Sequence, residues 1–231
     1  KWGKYMKPPN NDIIPQGYKM TELGVLPEEW EVVKLGEVAE VNYGKANNKE
    51  IGNIPVIGSG GIYSSTKKPL VNYPTIVIGR KGTAGKAWLF LEPCYPSDTT
   101  FYLSWRKEVD IKYLYNYMIM NPLSGEHAKT TLPSLQKPDL VNYIFPLPPL
   151  PEQQKIAAVL SAVQEAKEKT EAVISATKAL KKSMMKHLFT YGPVSPQEAE
   201  NVSLKETEIG PVPEDWEVVK FDSCINKQNS K

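Results

Sequence analysis

An internal repeat constrains this chain more than any other feature. Residues 21–35, TELGVLPEEWEVVKL, recur as residues 207–221, TEIGPVPEDWEVVKF. Ten of the fifteen positions are identical, including the Trp, and four of the rest are conservative, such as Leu23 against Ile209. The offset is 186 residues. That period is far longer than a solenoid repeat and indicates a duplicated domain. The chain therefore holds one whole unit and the opening of a second at Thr207. The native product is expected to be roughly twice this length, or else truncated. The chain also opens on Lys1 rather than Met, so its native start is expected elsewhere.

Within the unit the expected fold class is α+β, a mixed β-rich domain followed by a long helix. The expected boundaries are a tail at 1–20, the mixed domain at 21–150, the helix at 151–190, a linker at 191–206 and the second unit from 207 to 231. Trp30–Leu35 reads as a strand running into a short helix over Gly36–Val41. Ile54–Ile57, Thr75–Gly79, Gly85–Leu91 and Thr100–Trp105 are apolar or β-rich runs bounded by Gly and Pro, hence strands. Asp110–Met120 places Ile111, Leu114, Tyr115 and Met118 at helical spacing behind an Asp cap. Val141–Phe145 reads as a last strand. Pro146–Pro151, PLPPLP, is then expected to end it as a stiff connector.

Residues 152–189 contain neither Pro nor Gly over 38 positions. Ile156, Val159, Val163, Ala166, Thr170, Val173, Thr177, Leu180, Met184 and His187 fall alternately three and four residues apart. This is a heptad seam. At 1.5 Å per residue the helix would be about 57 Å long, far more than the mixed domain needs for its own core. The spacing predicts a helix that pairs with a partner helix rather than one lying on its own domain.

Composition excludes several classes. Hydrophobic residues are 41% and charged residues 23%, enough for a packed core and against wholesale disorder. There is no apolar run long enough for a membrane span and no signal-peptide pattern at the start, so no membrane association is expected. Cys94 and Cys224 are too few for a disulfide framework or a cysteine metal cluster, which points to a cytoplasmic protein. Net charge is only +2, but residues 45–91 carry seven Lys or Arg against a single acid. A basic stretch inside a folded region is the electrostatic footprint of a nucleic-acid binder, and also an ordinary surface.

Signals for catalysis fail on inspection. Gly79–Lys86 resembles a phosphate loop, but a Walker motif needs Gly where Arg80 stands and Ser or Thr where Ala87 stands. Ser97, Asp98 and Ser134 have no nearby histidine; His127 is a single loop residue, and His187 lies on the seam near the helix end, where packing is its expected role. Asn121-Pro122-Leu123-Ser124 lacks the second Pro and the aromatic residue of an adenine-methylase tetrapeptide. No catalytic residue and no metal ligand is expected.

The segments LPEEWEVVKLGEVAEV (26–41) and TTLPSLQKPDLVNYIFPLPPLPEQQKIAAVL (130–160), the long helix, and the second copy PEDWEVVKF resemble the specificity subunit of type I restriction-modification systems. The similarity runs from about residue 21 to 221. It implies a non-catalytic subunit whose recognition domain reads one half of a bipartite double-stranded DNA target. It implies that the long helices pair as an antiparallel coiled coil. It also implies partners: methyltransferase subunits using S-adenosylmethionine, and restriction subunits using ATP and Mg. No cofactor is expected on this chain itself. With one recognition domain and one helix, two copies pairing through Glu152–Phe189 are expected to form a homodimer on a palindromic bipartite target. Two other readings stay open: the recognition module of a combined restriction-methylation enzyme (type IIB/IIG-like), and a coiled-coil assembly protein whose globular domain binds protein.

Candidate DNA contacts lie in glycine-rich loops, where Gly permits close backbone approach. One holds Ser59, Tyr63, Lys67 and Lys68; the other holds Arg80, Lys81, Thr83 and Lys86; Lys45 precedes both. Arg80 is the candidate for a bidentate contact to a guanine edge. Lys67, Lys68, Lys81 and Lys86 are candidates for phosphates. The resemblance adds a third polar loop with Thr131, Ser134, Gln136 and Lys137. Trp30, Tyr43, Trp88, Phe90, Phe101, Tyr102 and Trp105 are expected in the core rather than as stacking platforms.

Overall fold

A computed structural model describes residues 14–47, 51–123 and 134–225. The chain divides into two compact units, residues 1–162 and 163–231, which are treated separately.

The first unit opens with a hairpin of β1 (Tyr18–Thr21) and β2 (Gly24–Pro27). The Thr21 hydroxyl locks its turn, donating to the Gly24 carbonyl at 2.7 Å and accepting from the Leu23 N–H at 3.2 Å. β3 (Glu31–Lys34) then leads into α1 (Leu35–Val38) and β4 (Ala39–Tyr43). The helix expected over Gly36–Val41 therefore stops at Val38. Beyond it Ala39 and Val41 are buried while Glu40 between them is exposed, the period-two pattern of a strand, which lapses only at its last residue, the exposed Tyr43. That alternation lets β4 join a larger sheet.

β5 (Ile54–Gly58) and β6 (Gly61–Thr66) form a second hairpin, and β5 also takes β9 (Tyr95–Pro96) in parallel on its other side. β6 falls in a segment whose sequence suggested only a loop. It is an edge strand rich in Ser and Gly, so it carries no apolar alternation to announce it. β7 (Thr75–Gly79), β8 (Ala87–Phe90) and β10 (Thr100–Trp105) complete a four-stranded antiparallel sheet in the order β4-β10-β7-β8. Every residue of β7 is buried, as expected for a central, continuously apolar strand.

α2 (Ile111–Met120) begins at Asp110, whose carboxylate accepts the Tyr113 N–H at 2.8 Å. It buries Tyr113, Leu114 and Met118 in a core shared with Leu35, Val41, Ile76, Phe101 and Phe145. α3 (Lys137–Val141) and β11 (Ile144–Leu147) follow. The expected strand over Val141–Phe145 is thus displaced: Val141 ends a helix, and the strand runs through Pro146. That Pro is tolerated because, among the described strands, β11 pairs only with β3, and its other edge requires no N–H.

α4 (Leu150–Tyr191) is one continuous helix of 42 residues. Its first turn is tied to the first unit through polar side chains. Trp30 Nε1 donates to Glu152 Oε2 at 2.9 Å. Gln153, only 2% exposed, donates to the Pro148 carbonyl at 2.8 Å and accepts the Asp110 N–H at 2.9 Å. From Ala162 to Lys186 every residue of the helix is exposed. Val163 and Val173 on the seam retain 63% and 65% of their surface. No described helix is long and apolar enough to cross a membrane.

In the second unit the helix end is closed by His187, whose Nε2 lies 2.8 Å from the Val194 carbonyl and whose ring packs 5.2 Å from Tyr191. A short 3-10 turn at Ala199–Asn201 precedes a hairpin of β12 (Leu204–Thr207) and β13 (Gly210–Pro213), and α5 (Phe221–Ile225) follows. This hairpin repeats the first one atom for atom in its turn: the Thr207 hydroxyl donates to the Gly210 carbonyl at 2.6 Å and accepts the Ile209 N–H at 3.3 Å.

Candidate nucleic-acid interface

Three loops far apart in sequence meet at the ends of β7 and β10. β7 delivers Arg80 and Lys81 into the loop that closes the β7–β8 hairpin. The hairpin is clamped where the Gly79 N–H donates to the Lys86 carbonyl and the Gly85 N–H to the Gly79 carbonyl, both at 2.8 Å. A side chain at Gly79 would run into the Thr83 carbonyl oxygen. Gly79 is thus required for the tight return.

The Ser97–Thr100 turn before β10 supplies the anchor. The Thr99 carbonyl accepts the Arg80 N–H at 2.9 Å and the Ser59 hydroxyl. Ser59 in turn accepts the Lys81 N–H at 3.4 Å. Ser59 is only 7% exposed, so its hydroxyl acts as an internal brace between the first loop and the second. The third loop docks through its backbone and the buried Leu135 side chain: the Leu135 N–H donates to the Arg80 carbonyl at 2.9 Å, and Lys81 and Ser134 form an isolated antiparallel bridge. Leu135 is buried beneath, while Ser134 and Gln136 stay exposed. Gln136 donates to the Ser134 hydroxyl at 3.3 Å, and its own N–H is capped by Asp139 at 2.8 Å.

Arg80 is held from several sides. Its Nη1 donates to the Asp98 carbonyl at 3.3 Å. Its guanidinium carbon lies 5.2 Å from the Tyr43 ring centre and 5.9 Å from that of Phe101. Lys137 Nζ lies 6.0 Å from the same Tyr43 ring. Among the described residues the ion pairs are Arg106–Glu40, Lys167–Glu171 and Lys169–Glu165, so Arg80, Lys81 and Lys137 carry charge that no described carboxylate neutralises. A guanidinium with one N–H committed among the described residues is suited to a planar pair of acceptors, and the lysines to point charges such as phosphates.

The other candidates are placed differently. Lys45 is exposed just past β4, where its N–H donates to the Pro96 carbonyl at 3.0 Å. Thr83 sits at the exposed tip of the Arg80 loop, and Lys86 at its base lies over Trp88 at 5.2 Å. Tyr63 is exposed on β6 near the Ser59 end of its hairpin. Lys67 and Lys68 follow Thr66 at the opposite end, about 17 Å along the strand from Gly61 at 3.3 Å per residue, so they lie outside the cluster. Thr131 and His127 fall outside the described residues. The sequence missed Thr99 and Tyr43. The first had only a polar Ser-Asp-Thr-Thr turn to mark it. The second reads as core, yet is 49% exposed. Among the described residues no group of three or more His, Cys, Asp or Glu could hold a metal ion. The one strongly displaced thiol, Cys94, is pushed up to about 12 by burial and lies in a small apolar cluster with Ile57, Val71 and Val77.

Comparison with known proteins places this arrangement in context. Residues 27–177 match the family described as the type I restriction modification DNA specificity domain. The chain is 31% identical over 241 residues to the type I restriction enzyme MjaVIII specificity subunit of Methanocaldococcus jannaschii, covering 95% of this chain and 56% of that protein. It thus spans about half the length of the curated relatives it matches. Its fold is similar to that of the type I restriction-modification S subunit from M. genitalium, with a TM-score of 0.56 at 20% identity over 69% of this chain and 46% of the other. A chain from a structure of the type I R-M system, describing complex assembly and conformational transition, gives a TM-score of 0.55 at 25% identity over 69% and 44%.

Proposed function

The chain belongs to the type I restriction-modification DNA specificity family, and on that premise we propose that it is the non-catalytic reader of one half of a bipartite double-stranded DNA target. The observation that carries this reading is the meeting of the loops around Ser59, Arg80 and Ser134–Lys137, which brings cations with no described carboxylate partner onto one sheet end. Lys81 and Lys137 supply phosphate contacts that fix the register, and Arg80 reads a guanine edge. The exposed seam of α4 pairs antiparallel with the same helix of a second copy, so that two recognition domains address the two halves of a palindromic site. Methylation with S-adenosylmethionine, and cleavage with ATP and Mg, belong to partner subunits that dock on this assembly.

Selection from random duplex DNA tests the reading, using the chain with and without its methyltransferase partner. The expected result is enrichment of a sequence split into two halves by a fixed spacer. No enrichment in either arm refutes DNA reading and leaves assembly as the role.

A further inference from the structure

We propose that Tyr43 is the positioning residue of the reading site: its ring holds Arg80 and Lys137 together and fixes the direction in which the Arg80 guanidinium is presented. This rests on the reading of Arg80 as the base-contacting residue, and extends it to a residue that touches no base. Tyr43 is the last residue of β4 and stands directly opposite Phe101 of β10. Their ring centres are 5.0 Å apart at an interplanar angle of 50°. Phe101 is fully buried, so it forms the floor on which the half-exposed Tyr43 ring rests.

Both cations then use that ring. Arg80 lies 5.2 Å and Lys137 6.0 Å from its centre, although the three residues come from three different parts of the chain. No described hydrogen bond uses the Tyr43 hydroxyl, so the aromatic face is the working part. The ring quadrupole attracts each cation and so gives the two a common platform. Among the described residues the flexible Arg side chain is otherwise restrained by a long bond, 3.3 Å, to the Asp98 carbonyl and by the more distant Phe101 ring at 5.9 Å. Restricting it before DNA arrives lowers the entropy lost on contact.

The experiment measures dissociation constants for the selected duplex and for its single-base variants. It compares the parent chain with Arg80→Ala, Tyr43→Leu and Tyr43→Phe. Arg80→Ala is expected to erase discrimination at one base pair. Tyr43→Leu is expected to weaken discrimination at that same pair by about threefold to tenfold, with little change in affinity for unrelated duplex, and Tyr43→Phe to restore it to within about twofold. Tyr43→Gln carries the same comparison on a ringless polar side chain if the Leu variant does not fold. If Arg80→Ala relaxes one position while the ringless variants leave it intact, the positioning role is overturned and the reading of Arg80 survives. If Phe fails as Leu does, the ring face is not the working part and the proposal also falls. If Arg80→Ala relaxes no position, both fall together.

Discussion

Replacing Val163 and Val173 together by Asp tests whether the long helix is a pairing element. Full burial of a Val side chain is worth about 1.5 kcal/mol at the lower end of the aliphatic range. With 63% and 65% of these two still open, pairing stands to gain about 1 kcal/mol from each. A two-fold pair contains each position twice, so the double variant forfeits about 4 kcal/mol of apolar burial. Placing unpartnered carboxylates in the seam adds at least about 0.5 kcal/mol apiece. The total of about 6 kcal/mol or more weakens association by roughly four orders of magnitude at 1.4 kcal/mol per tenfold. Sedimentation velocity at about 10 µM, a concentration at which a dimer of ordinary affinity is fully formed, is expected to show the parent as a dimer and the variant as a monomer. Ser175→Asp with Lys182→Asp puts the same groups on the opposite helix face and is expected to stay dimeric. A seam variant that sediments like the parent, or a control that dissociates equally, would show that apolar burial along this edge does not drive association.

Two further outcomes follow from packing inside the first unit. Gly79→Ala forces a Cβ into the Thr83 carbonyl oxygen, so it should cost about 1–3 kcal/mol, lower the thermal midpoint by about 2–12 °C and weaken duplex binding; Gly60→Ala, which meets nothing within 4 Å, should do neither. Cys224 is exposed and should react readily with a thiol reagent at pH 8, whereas Cys94, buried and pushed up to about 12, should react only when the chain unfolds. Because the folded state raises that thiol above its ordinary value of 9.0, its stability contribution is fully present below pH 9 and is lost as pH climbs toward about 12. Urea midpoints measured at pH 8 and pH 11 should fall with rising pH, and by less in Cys94→Ala.

The sequence was legible where its signal was local. The Pro- and Gly-free helix, the Asp110 cap and the apolar runs of β7 and β10 all appear where periodicity or capping chemistry placed them. What it concealed depends on distant partners. Ala39–Val41, read as the end of a helix over Gly36–Val41, becomes strand because β10 is there to pair with it. β6 is a polar edge whose identity comes from β5. The basic loops could be picked out by composition. That Ser134 would bridge to Lys81, while Lys67 and Lys68 would be carried to the other end of their hairpin, is set by strand register. Tyr43 was misjudged because an aromatic residue looks like core when only residue type is read; that it ends its strand with half its surface open is visible only in the fold.

The repeat carries a lesson about when structure can form. Residues 31–34 and 217–220 both spell EVVK, yet the first is a strand and no described strand includes the second. Val33 is 6% exposed, and its counterpart Val219 is 56% exposed. The neighbouring hairpins, by contrast, close identically through their own Thr and Gly. On a ribosome, therefore, the Tyr18–Pro27 hairpin can close as soon as it emerges, while Glu31–Lys34 must wait for synthesis to reach Leu147 before it has anything to lie against. Completion of the first unit is thus timed by the arrival of the strand that immediately precedes the long helix.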